Sequence, residues 1–473
     1  MRIYSPNYMN IGTLLKANFI KNGRLRRLCV AVLSNEKCKI ILLLFLFSVN
    51  FISFVYPGFD SPPKFLYDEG TMVPWSAAAI ADIVWGLGVT KGQLAFFTTN
   101  YPFIYSLREN PGGLATILAK TAAAPHLFFL GRYPPGIGLT LYLFFSVFGL
   151  HFWAARLATT VFHIGTLLLF AYNLKRHLGK FRLMFIGGVL FSTVPMSTYF
   201  GRLVEMFIPA LFFMTLASTF YAEAYHKGSI QRLGPTIICI CAAMFYNWVG
   251  LILATVIFVL ELKRSDRSTR TFASYTLVVI AALIALVAPL LMTGVIGPQG
   301  TYSSGGIKDL PLMLGVFQHR TGTSFHDDIG RPITLTSWIL RFALFNAWGF
   351  TPFVPILAVG GIVNSFRHKT RSFSYAERVN GILAMAGVLW VLLLPQGVYV
   401  HMYYQYFLLP GEIYYAAVFL DRVASAKSKF SISKISVILV LVLVYLSSII
   451  ILQVTTSAPS SYLESILSNV TNR

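Results

Sequence analysis

Acidic residues are scarce in this chain. Only 17 Asp and Glu stand against 38 Lys and Arg in 473 residues, and charged residues of either sign make up 12%. A soluble domain keeps about a quarter of its residues charged. The shortage, together with 56% hydrophobic residues and a mean hydropathy of +0.67, excludes a soluble enzyme or binding module. Cysteine is also sparse. Cys29 and Cys38 fall in a basic arm and Cys239 and Cys241 in an apolar run, at spacings that build neither a disulfide framework nor a metal site. Alternating short segments of the β-barrel kind, a polar block long enough for a soluble domain, and an internal repeat above the apolar background are all missing. What is present is a series of apolar runs from Lys39 almost to the C-terminus, the pattern of an all-α polytopic membrane protein.

The net charge of +21 could suggest nucleic-acid binding, but the basic residues sit in short clusters between apolar runs. That is the positive-inside pattern, and it makes membrane lipid rather than nucleic acid the partner. Residues 1–38 carry Arg2, Lys16, Lys21, Arg24, Arg26, Arg27 and Lys37 with Glu36 as the one acid, so this arm is expected in the cytoplasm. It is too long and irregular before the first apolar run for a cleaved signal peptide. The run from 40 to about 56 is then the first span of a transmembrane domain over 39–453, and it delivers Asp68 and Glu69 to the far side.

A long first outer loop, about 58–135, follows. It holds an amphipathic stretch over 76–89 and the turn signal Asn110-Pro111-Gly112-Gly113, and it has room for interfacial helices. The apolar run 137–150 is shorter than the ~17 to 25 residues a span needs, and is read as interfacial or re-entrant. Parity of the basic clusters predicts further spans near 152–174, 183–199, 207–225, 271–295, 350–365, 380–399, 407–420 and 435–453. Two short helices turning at Asn247-Trp248 fill 233–262, and 338–345 lies on the membrane surface. The total is about eleven crossings with an outer tail at 454–473. Asp68, Arg132 and Glu205 thereby share one face of the membrane. The outer loop 297–337 carries His319, Arg320, His326, Asp327, Asp328 and Arg331; it reads as a solvated, lid-like loop, since the spacing fits no standard metal site.

Three stretches, in order, carry a resemblance. The first is the adjacent carboxylates of Tyr67-Asp68-Glu69-Gly70. The second is Arg132-Tyr133-Pro134-Pro135-Gly136, leading through Phe148-Gly149 to Ala154-Ala155-Arg156-Leu157. The third runs from Pro195 through Tyr199-Phe200-Gly201-Arg202 to Glu205. Over about 60–210 these resemble the GT-C glycosyltransferases that use lipid-phosphate sugars, including protein O-mannosyltransferases and bacterial lipid A aminoarabinose transferases. His401, Tyr403 and Tyr404 before Leu409-Pro410 resemble a motif frequent in bacterial members. Two positions depart from the family pattern: Tyr133 stands where a lysine is often found, and Glu205 where aspartate is commoner.

The resemblance implies an integral-membrane inverting glycosyltransferase with a polyprenyl-phosphate sugar as donor and an envelope glycan, lipid or protein as acceptor. The implied location is a bacterial inner membrane, with the site facing the periplasm or outside. Outer-face chemistry also excludes nucleotide sugars, which are cytosolic. Asp68 suits the base that takes the acceptor proton, and Glu69 would orient the acceptor or hold the loop. Arg132 and Arg202 suit the departing phosphate, because guanidinium offers paired donors. Glu205 either binds a sugar hydroxyl or pairs with Arg202, while Tyr133, His401, Tyr403 and Tyr404 would contact phosphate or sugar. No cofactor is required, and metal dependence stays open. The competing reading is a lipid-linked sugar flippase or other polytopic transporter, which would spread ionisable residues through mid-span rather than gather them at one face.

Overall fold

Apolar runs become helices, and the breaks between them fall where the sequence removes a hydrogen bond or needs an unusual backbone. The computed structural model describes residues 59, 71–96, 113–129, 133–176, 181–227, 233–262, 276–285, 287, 333–367, 374–425 and 432–457. In chain order the elements are α1 (Met72–Trp85), α2 (Leu87–Thr90), β1 (Ala95–Phe96), α3 (Gly113–Ala122), β2 (Phe128–Phe129), α4 (Gly136–Phe148), α5 (Phe152–Lys175), α6 (Phe181–Thr193), α7 (Pro195–Thr198), α8 (Phe207–Lys227), α9 (Leu233–Tyr246) and α10 (Val249–Leu262). Then come α11 (Thr276–Ala285), α12 (Leu335–Phe350), α13 (Phe353–Arg367), α14 (Tyr375–Leu393), α15 (Pro395–Val400), α16 (Leu409–Ser425) and α17 (Ile432–Ser457).

Four of these helices are long and apolar enough to cross a membrane, and six crossings result if each sharply bent pair counts as one. At 1.5 Å per residue, α5 is about 36 Å long, enough for a ~30 Å hydrocarbon core, whereas α4 reaches only about 20 Å. Outward faces agree with lipid contact. Val161 and Leu168 on α5, Ile356 and Val359 on α13, and Leu443 and Ile450 on α17 are exposed. The protein is an all-α polytopic membrane protein carrying one two-residue antiparallel ribbon, in which Ala95 pairs with Phe129 and Phe96 with Phe128.

The breaks explain themselves locally. Pro195 cannot donate to the α6 ladder, and the chain bends by 65° between α6 and the segment that follows. A second proline, Pro395, starts α15 just after Leu394 ends α14. Asn247 accepts the Val249 N–H through its side chain at 3.0 Å, closing the α9–α10 turn expected at that place. Thr334 and Ser337 cap each other's backbone at the start of α12, and α12 and α13 meet at 101° across Thr351. The surface segment expected at 338–345 is thus the middle of a longer helix lying across α13.

One end of the bundle is pinned by basic residues. Arg176 binds Glu223 at 2.6 Å and lies 4.3 Å from the Tyr375 ring centre, tying α5, α8 and α14. Arg182 binds Asp421 at 2.6 Å, tying α6 to α16. The opposite end holds α1, which packs on α3, α4 and β1 and is buried along Met72 to Asp82. The amphipathic pattern at 76–89 is overridden here because neighbours cover both faces of the helix.

Asp82, in the last turns of α1, is 1% exposed, and its Oδ1 finds no hydrogen-bond partner among the described residues. Burial pushes this carboxyl up to about 7, with the Thr90 hydroxyl working against the rise. A raised carboxyl pKa means the folded chain holds the proton longer than the unfolded one. Its stabilising effect is therefore complete below about pH 4 and is lost as pH rises toward 7. Asp82→Asn should raise the thermal midpoint at pH 8, by the equivalent of up to roughly 4 kcal/mol, and leave it unchanged at pH 4. A pH-dependent melting series on the purified protein checks the sign.

Candidate functional site

The end of the bundle away from the Arg176 cluster collects polar and aromatic side chains from separate parts of the chain. After Pro195 the backbone runs through α7 and a single 3-10 turn, Phe200–Arg202, then extends at Leu203 before α8 begins at Phe207. This non-helical passage holds Arg202 and Glu205 well inside the protein, at 5% and 2% exposure. A carboxylate so placed needs donors. Trp75 supplies one, its Nε1–H donating to Glu205 Oε2 at 2.5 Å. The Thr71 hydroxyl donates to the Val204 carbonyl at 3.2 Å, so the start of α1 is stitched twice to residues 204–205. The Arg202 guanidinium lies 5.3 Å from the centre of the Tyr199 ring.

The Pro-Pro motif joins from the other side. Tyr133 meets Trp75 edge-on, centroids 5.7 Å apart at 86°, and lies nearly parallel to Trp248 at 6.3 Å and 11°. Gly136 allows this approach, since a Cβ there would fall 2.5 Å from the Phe245 carbonyl oxygen. Thr140, one turn into α4, shares a 2.7 Å hydrogen bond with the Tyr246 hydroxyl. The α9–α10 turn therefore belongs to the same assembly as Tyr133 and the start of α4.

Phe207, two residues beyond Glu205, carries the contact onward. It packs against Tyr403 at 4.8 Å and Tyr404 at 5.1 Å. His401 stacks on Tyr404 at 5.9 Å and 16° and tilts over Tyr403 at 5.1 Å, while Trp390 backs Tyr404 at 5.7 Å. All three lie in or just before the 3-10 helix Met402–Leu408. That helix is anchored to α12 by a buried polar group. Asn346 donates to Gln405 Oε1 at 3.2 Å and to Glu412 Oε1 at 2.7 Å, and Gln405 donates to the Phe342 carbonyl at 3.2 Å.

Of the residues expected at the site, Tyr133, Arg202, Glu205, His401, Tyr403 and Tyr404 are thus placed along one connected path. Asp68, Glu69 and Arg132 lie outside the described residues, as do the loop residues His319, Arg320, His326, Asp327, Asp328 and Arg331. Three contributors were not read from sequence as site residues. Trp75 is one, Trp248 another, and Arg156 the third. Arg156, 1% exposed, donates from Nη1 to the Phe59 carbonyl at 2.8 Å. Among the described residues no group of three or more His, Cys, Asp and Glu side chains comes together to hold a metal.

The arrangement provides a fixed buried carboxylate, a nearby guanidinium and an aromatic lining at one end of the bundle. Such a set can orient a sugar and stabilise a departing anion. No protein-family model matches the sequence, and no curated protein matches it either. Solved structures do match in shape. ArnT from Cupriavidus metallidurans, solved bound to undecaprenyl phosphate, superposes with a TM-score of 0.54 at 15% identity, over 91% of this chain and 74% of that one. Its apo form gives the same score and identity, over 91% and 73%. The Archaeoglobus fulgidus oligosaccharyltransferase, solved with Zn and sulfate, gives 0.51 at 14% identity over 88% of this chain, which spans 53% of that protein's length. The fold of this chain is similar to the fold of these two membrane proteins.

Proposed function

We propose that this chain is an inverting glycosyltransferase that moves a sugar from a polyprenyl phosphate to an envelope glycan, lipid or protein at the outer face of a bacterial inner membrane. The observation that carries the reading is the stitching of Glu205, Trp75 and Tyr133 at one end of the bundle, in a fold shared with a protein solved with undecaprenyl phosphate. Sequence neighbours bring the remaining groups. Arg132 is one residue before Tyr133, and Asp68 and Glu69 are three and two before Thr71.

In this mechanism Asp68 takes the proton of the acceptor hydroxyl as that oxygen bonds to the anomeric carbon. The bond from carbon to phosphate oxygen breaks, and its electron pair leaves with the polyprenyl phosphate. Arg132 and Arg202 stabilise the charge gathering on that phosphate. Glu205 and the tyrosines Tyr133, Tyr403 and Tyr404 hold the sugar, with His401 at the phosphate edge and Glu69 orienting the acceptor or its loop. No cofactor enters. The chain crosses the membrane about eleven times, with 1–38 in the cytoplasm, the outer loops 58–135 and 297–337 over the site, and 454–473 outside.

The test is release of polyprenyl phosphate by the purified protein from a panel of polyprenyl-phosphate sugars with crude envelope acceptor. Consumption of one donor supports the reading and names the sugar. If no donor is consumed while labelled lipid-linked sugar crosses proteoliposomes, the protein is a flippase and the proposal falls.

A further inference from the structure

His163 sits at the middle of the apolar helix α5 and is 7% exposed. An imidazole there is costly unless both nitrogens are satisfied, and ionisable groups within spans usually serve a function. Both nitrogens are engaged. Nδ1 shares a 2.6 Å hydrogen bond with the Tyr406 hydroxyl, and Nε2 a 2.9 Å bond with the Ser197 hydroxyl. A neutral imidazole has one donor and one acceptor, so the three groups form a single polarised chain.

The partners are far apart in sequence, 243 and 34 residues from His163, and each belongs to a segment carrying site residues. Ser197 lies in α7, five residues before Arg202 and eight before Glu205. Tyr406, 1% exposed, lies in the same 3-10 helix as Tyr403 and Tyr404. The ring is also seated from above. A Cβ on Gly201 would lie 2.6 Å from His163 Cδ2, so only glycine beside Arg202 leaves room for it. The ring further contacts Phe191 at 5.7 Å. A residue present only to fill the core would need neither hydrogen bond.

We propose that His163 is a positioning residue: a two-ended joint that fixes segment 195–205 relative to segment 401–408, and so sets Arg202 and Glu205 against Tyr403 and Tyr404. Its effect on turnover rests on the glycosyltransferase reading above, but the joint itself does not. Each segment alone keeps its contacts to a bound donor, so loss of the joint acts on kcat more than on KM. Misplacement of catalytic groups by about 1 Å can cost on the order of 10²-fold in rate.

The decisive protein is the triple variant His163→Phe, Ser197→Ala, Tyr406→Phe. It removes donor and acceptors together, leaving no buried hydroxyl stranded, and such replacements are nearly neutral for stability. The expected result is a wild-type melting temperature, about 10²-fold lower kcat in the polyprenyl-phosphate sugar assay with donor KM little changed, and faster amide hydrogen exchange in both 195–205 and 401–408. Gly201→Ala, which displaces the ring from the other side, should reproduce the rise in exchange. His163→Asn, with an amide nitrogen near the Nδ1 position, should restore part of kcat through Tyr406. Full turnover in the triple variant, or exchange that rises in one segment or neither, overturns the joint. If the wild-type protein consumes no donor, the proposed activity fails, and the exchange measurement still decides for or against His163.

Discussion

Asp68→Asn should lower turnover of the polyprenyl-phosphate sugar by ~10²- to 10⁴-fold, the usual contribution of a positioned general base, while the melting temperature and donor affinity stay at wild-type values. The substitution keeps the size and polarity of the side chain and removes only its capacity to accept a proton. Water can take the acceptor proton in its place, but with poor driving force. Glu69→Gln should cost less, since the part proposed for it is orientation of acceptor or loop. An Asp68→Asn protein with wild-type turnover would take the base role away from Asp68, and the Glu69→Gln protein then shows whether Glu69 carries it.

Arg156→Met carries the second large effect. Arg156 is the largest fully buried side chain among the described residues, and its Nη1 holds the Phe59 carbonyl at 2.8 Å. Thr71 is held at Val204. These two ties bracket the stretch of sequence that contains Asp68 and Glu69. Methionine fills similar space but leaves the carbonyl without its charged donor, which costs about 1.5 to 3 kcal/mol. The expected outcome is a lower melting temperature together with a kcat reduced by roughly tenfold or more, because one end of the carboxylate-bearing stretch is released. Arg156→Lys keeps the charge but cannot reproduce the planar donor set, and should recover little of the rate. A destabilised Arg156→Met protein with unchanged kcat would make this arginine a packing residue only.

What the sequence made legible was local. The α9–α10 turn at Asn247 follows from the parity of the basic clusters, the short helix after Pro134-Pro135 from its run length, and the helix start near Ala154-Ala155-Arg156 from the family resemblance, and a turn or helix stands at each place. Two spans read as continuous, 183–199 and 380–399, are interrupted at Pro195 and Pro395. Hydropathy does not register that break, since an apolar proline scores like its neighbours while removing a helix donor. The site itself depends on contacts that no local pattern encodes. Trp75 meets Glu205 across 130 residues, Arg156 meets Phe59 across 97, and His163 meets Tyr406 across 243. A tryptophan in an apolar stretch looks like core until a buried carboxylate is found at its indole nitrogen. Counting crossings led to the expectation that Asp68, Arg132 and Glu205 share one face; the surroundings of Glu205 came only from the fold.

The measurement that bears most directly on the central claim is an experimental structure of the protein with undecaprenyl phosphate bound. The phosphate is expected within hydrogen-bonding distance of Arg132 or Arg202, at the end of the bundle where Trp75 meets Glu205, with the Asp68 carboxylate facing the position of the anomeric carbon. A phosphate held at the opposite end, between Arg176 and Arg182, or in mid-bundle along a path between the two ends, would contradict that claim.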